Sequence, residues 1–100
     1  MADFRLSVVK GSSGEILVYG NYLGGNEPVF VERVNIVELD ESGKSVFASS
    51  HHVHRSIDPG VGGSYLLVSK QPSGKNIKSA RATAHYIEIE ETAQSDTLKL

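Results

Sequence analysis

The chain has no cysteine, no tryptophan, one methionine and three prolines in 100 residues. Without cysteine there is neither a disulfide staple nor a thiolate metal centre. Stability must therefore come from packing, and any metal ligand from His, Asp or Glu. The absence is neutral about compartment, fitting the cytosol without excluding export. No apolar run approaches the roughly 18 residues of a membrane-spanning helix. Met1-Ala2-Asp3-Phe4-Arg5 lacks the basic segment and long apolar stretch of a signal peptide. A chain that natively starts there is expected to be cytoplasmic; one that has lost a leader would be extracytoplasmic. Acids outnumber bases by 12 to 10, a formal charge of −2, whereas dedicated nucleic-acid binders present a basic face. No nucleic-acid partner is expected. Protonating all four histidines would carry the charge to +2, near an ordinary imidazole pKa of about 6.5.

What is present is short alternation of apolar and polar residues, broken by turn signals. Phe4, Leu6 and Val8 alternate with Arg5 and Ser7. Residues 16–23 follow a polar Gly-flanked turn, with Ile16, Val18, Gly20 and Tyr22 on one face and Leu17, Tyr19, Asn21 and Leu23 on the other. Apolar groups on both faces predict a central strand. In residues 29–39 the apolar face switches from the odd positions Val29 and Val31 to the even positions Val34 and Ile36, which calls for a bulge or two shorter strands. Asp40-Glu41-Ser42-Gly43 reads as a four-residue hairpin loop with Gly43 in the left-handed position. Residues 46–57 form the next strand, closed by Asp58-Pro59-Gly60. Residues 65–70 and 77–89 complete the set, with Ala80, Ala82, Ala84 and Tyr86 sharing a face. Length allows one domain. The pattern predicts an all-β, immunoglobulin-like antiparallel sandwich of about seven strands over residues 1–91, with 92–100 as a polar, mobile tail.

The order of Gly20-Asn21-Tyr22, Pro28, residues 34–40, Gly43, Pro59-Gly60 and Tyr86 resembles the FxLYD-type domains, small immunoglobulin-like sandwiches of bacterial and archaeal proteins. The likeness spans about residues 16–90. At the name-giving motif this chain has Ile36-Val37-Glu38-Leu39-Asp40, where only the Asp agrees. The resemblance implies the sandwich and no catalytic residues.

One cluster stands out chemically, His51-His52-Val53-His54-Arg55. On a strand His52 and His54 share a face with Cα atoms about 6.6 Å apart, a spacing that suits two ligands of one divalent metal such as zinc. His85 is the candidate third ligand, with Asp58 or a glutamate in reserve. The same residues on a solvated face would be ordinary polar positions, and adjacent imidazoles would also repel once charged. Residues 58–64 are glycine-rich but lack the Gly-Lys-Ser/Thr ending and following helix of a phosphate loop. No G-x-S-x-G elbow occurs. Lys70, Lys75, Lys78 and Arg81 form an acid-free basic segment that fits an acidic partner or guards a strand edge. Tyr19, Tyr22, Tyr65 and Tyr86 offer a carbohydrate platform if they share an exposed face, and core packing if they do not. Leu98 and Leu100 tip a tail able to add to a neighbouring sheet edge. These features favour a non-enzymatic module acting through a protein partner or self-association. The alternative is a domain binding a divalent metal or carbohydrate.

Overall fold

The computed structural model describes residues 3–24, 28–58, 63–86, 92–94 and 98–99. Among these residues there is no helix, hence none long and apolar enough to cross a membrane. The chain forms strands β1 (Asp3–Lys10), β2 (Ile16–Gly24), β3 (Val29–Leu39), β4 (Ser45–Ile57), β5 (Gly63–Lys70) and β6 (Ser79–Tyr86). Two short segments follow, β7 (Thr92–Gln94) and β8 (Leu98–Lys99). All pairings are antiparallel. One sheet has the order β1-β2-β5; the other runs β4-β3-β6-β7, with β8 also on β6. Six strands of eight residues or more, three to a sheet, thus replace the expected count of about seven. Within 92–100, expected as a mobile tail, Thr92–Gln94 and Leu98–Lys99 pair with β6. These are too short and polar to announce themselves by alternation.

The layers are held by the inward halves of the alternating strands. Ile16, Val18 and Tyr22 of β2 face Val31, Val34 and Ile36 of β3 across the core, joined by Leu6, Val8, Ile57 and Val68. Ala80, Ala82 and Ala84 line the inner face of β6 and are buried. Their small side chains let the second layer approach closely. β1 packs against β6 and the short strands, and β5 against β4. As its two-sided apolar pattern required, β2 lies in the centre of its sheet.

The switch of face in β3 is a bulge. β3 pairs Val31 with Tyr86 and Arg33 with His85, leaving Glu32 as an extra residue against β6. Against β4, Val31 pairs with Arg55 and Arg33 with His52, so Val53 and His54 together oppose Glu32. Between these two rows the chain lengthens by one residue on each successive strand toward the β4 edge. His54 absorbs the surplus in the left-handed region, with φ 47°. A second irregularity leaves Val46 unpaired between Glu38↔Phe47 and Leu39↔Ser45.

The β3–β4 connection is the expected loop. Gly43 N–H donates to Asp40 O and Asp40 N–H to Lys44 O, both at 3.0 Å. The Asp40 carboxylate accepts from the Ser42 hydroxyl at 2.6 Å and from the amides of Ser42 and Lys44. Gly43 has φ 84°, and a Cβ there would meet nothing within 4 Å. Gly43→Ala therefore probes backbone conformation alone. It is expected to lower unfolding free energy by about 1–2 kcal/mol, with a smaller loss for Gly43→Asn, as read by urea denaturation.

Candidate functional site

Three places concentrate polar or exposed chemistry. The first lies inside. Glu38, on the inner side of β3 with Val34 and Ile36, is fully buried. Its carboxylate accepts from Lys70 Nζ at 3.0 Å, from the Ser73 amide at 2.7 Å and from the Ser73 hydroxyl at 2.6 Å. Lys70 Nζ also donates to Gln71 O and Ser73 Oγ, each at 2.9 Å, and lies 5.3 Å from the centroid of the Phe47 ring. Burial works to raise the Glu38 pKa, but the hydrogen bonds from Ser73 and the ammonium of Lys70 outweigh it and hold the carboxyl below its ordinary range. The site is structural. It also takes Lys70 out of the basic segment, of which Lys75, Lys78 and Arg81 remain exposed.

The second place is the outer face of the β4-β3-β6 sheet. The rings of His52 and His54 stack with centroids 5.6 Å apart and planes 17° apart, and Phe30 meets His54 edge-on at 6.4 Å. His51 turns to the other side, with its Nε2 2.8 Å from Ser49 Oγ. His85 does not join them. Arg33 pairs with His52 on one side and with His85 on the other. The two imidazoles therefore stand two strand spacings apart, about 9.5 Å, and His85 Nε2 contacts Asn35 Nδ2 at 3.1 Å. The set His52, His54 and His85 thus reduces to a pair. Among the described residues no group of three or more His, Asp or Glu converges as metal ligands. Register across β3 could not be read from the chain, and this separation follows from it.

The third place is the outer face of β1-β2-β5. Val9 pairs with Leu17 and Tyr19 with Leu66, forming a diagonal apolar patch. Val9 is 40% and Leu66 44% exposed; Leu17 and Tyr19 between them are half-buried. Asn21 borders it, donating to Ser7 Oγ at 3.0 Å and accepting from the Ser64 hydroxyl, so that the side chains bridge all three strands. The three described tyrosines build no common platform. Tyr22 is in the core, Tyr19 faces outward, and Tyr65 is partly buried against the core with the Arg55 guanidinium 5.5 Å from its ring centroid. The side chains of Tyr86 and Leu98 lie outside the described set, as do Leu100 and the glycine-rich residues 59–62.

No protein-family model matches the chain, and neither a curated protein nor a solved structure is significantly similar to it.

Two predictions follow from this geometry. Glu38→Ala leaves the Lys70 ammonium and Ser73 without their acceptor and should cost about 3–5 kcal/mol in urea unfolding, as for other broken buried pairs. Because the folded pKa of Glu38 is lowered, the stability it supplies is complete above the ordinary glutamate range, about pH 4.3, and drains away as pH falls through the folded value. Asp40 is lowered too, first by the Ser42 hydroxyl. Glu38→Gln should therefore flatten the acid limb of the stability curve without abolishing it. At the bulge, His54→Val puts a β-branched residue into left-handed backbone and should cost about 1–2 kcal/mol. His54→Gly should stay within about 0.5 kcal/mol of the parent, because relief of backbone strain offsets glycine's added chain entropy. Calorimetric melting of both variants checks this.

Proposed function

We propose that this chain is a non-catalytic immunoglobulin-like β-sandwich that serves as an accessory or assembly module through protein–protein contact. The strand neighbours support the architectural half. If the strands are lettered A, B, C, C′, E, F and G, the order β1-β2-β5 opposite β4-β3-β6-β7 reads A-B-E opposite C′-C-F-G, which supports an immunoglobulin-like arrangement.

The observation that carries the functional half is the patch of Val9, Leu17, Tyr19 and Leu66. It sits on the face of a sheet whose other side already forms the core, and Ser7, Asn21 and Ser64 border it. An apolar centre with a polar rim is the anatomy of a recognition surface. Metal or carbohydrate binding draws less support, because His85 stands across Arg33 from His52 and the described tyrosines occupy different faces.

The test is photo-crosslinking in the native host from a probe residue at position 66, beside the same probe at Ser50 on the opposite sheet. A discrete protein adduct is expected from position 66 alone, and it should disappear on adding Val9→Lys. Equal adducts from both positions, or none from 66, would overturn the reading.

A further inference from the structure

The outer face of the larger sheet differs in charge from the chain as a whole. The chain is net acidic, yet β3, β4 and β6 contain only two acids, the buried Glu38 and the bulge residue Glu32. Outward on the same strands stand Arg33, His52, His54, His85 and Arg81. The side chains sort into rows across the sheet: His52–Arg33–His85, then Ser50–Asn35–Thr83, then Ala48–Val37–Arg81. Neither β7 nor β8 adds an acid.

Arg33 is the anomaly in this face. It is half-buried on the central strand, between two imidazoles, and makes no hydrogen bond or ion pair among the described residues. Glu32 beside it has none either. A partly desolvated guanidinium is ordinarily matched by an anion, and its fork suits a carboxylate in two-point contact. The neighbouring row adds donors without charge, the Thr83 and Ser50 hydroxyls on either side of Asn35.

We propose that this face binds an extended acidic segment of another polypeptide. One carboxylate of that segment sits on Arg33 between His52 and His85, and a second on Arg81. Arg81 lies four residues along β6 from His85, the partner of Arg33, so the two guanidinium-bearing positions are about 14 Å apart. An extended chain covers that span between residues i and i+4, which sets the ligand's spacing. The inference rests on reading the domain as a contact module, but it uses the sheet opposite the Leu66 patch.

The experiment is an NMR titration of the full chain with an unstructured peptide carrying glutamates at i and i+4, separated by Gly and Ser. Amide shifts should cluster at Arg33, His52, His85, Thr83 and Arg81. Arg33→Gln should weaken binding about tenfold or more, Arg33→Lys less, and Arg81→Gln several-fold, with unfolding midpoints unchanged. A peptide with the two glutamates adjacent should bind several-fold more weakly. Leu66→Lys should leave the titration untouched, so loss of the Leu66 contact and loss of this one are distinguishable. Shifts mapping elsewhere, indifference to Arg33→Gln, or equal binding of inorganic phosphate or a single-stranded oligonucleotide of matched charge would overturn the proposal.

Discussion

A carboxylate shut away from solvent sits where an apolar side chain would be expected, on the inner side of β3, and three elements are arranged around it. Glu38 belongs to the larger sheet, Lys70 ends β5 of the smaller one, and Ser73 begins the passage back to β6. One buried anion therefore fixes the distance between layers and the path of the segment joining them. The desolvation cost of such a charge is several kcal/mol, which full satisfaction of both oxygens offsets. Further along the same side, the Arg55 guanidinium donates to Leu66 O at 2.9 Å and spans the layers again. The β4–β5 side of the sandwich is thus clasped by cations of alternate sheets, while the β2–β3 centre is held by aliphatic packing.

With the interior committed in this way, chemistry is left to the two outer faces, which have opposite characters. The smaller sheet shows an apolar diagonal in a frame of hydroxyls and amides. Among the described residues, the larger shows guanidinium and imidazole groups with almost no acid. Among the described residues no group of three or more His, Asp or Glu converges on either face.

Much of this was legible in the chain. Alternation located the six long strands, and the parity change between Val31 and Val34 called for a bulge or two shorter strands, of which the chain forms the bulge. Asp40 and Gly43 announced their loop through side-chain acceptor and left-handed backbone. The limits have physical causes. Glu38 shares its parity with Val34 and Ile36, a signal that an acid faces inward, but its partners lie 32 and 35 residues later and belong to another sheet. Lys70 looked like surface charge for the same reason. Ile77 and Lys78 extended the last strand in the pattern, whereas β6 begins at Ser79 and Lys78 N–H instead donates to Leu39 O. His54 carries only a weak mark of left-handed backbone, since histidine enters that region more often than most residues but without the turn signal of Gly or Asn. Which histidines meet depends on cross-strand register, which alternation leaves undetermined by any multiple of two.

The stepwise lengthening from β6 through β3 to β4 bears on how this strand set tolerates insertions and deletions. Were Glu32 deleted, Val29, Val31, Val34 and Ile36 would fall into uninterrupted alternation, and each would keep its inward aim. Losing Val53 or His54 instead would put Arg55 and Ile57 out of phase with His51, turning Ile57 from the interior toward water. A loss of one residue thus preserves inward parity on the middle strand and breaks it on its outer neighbour.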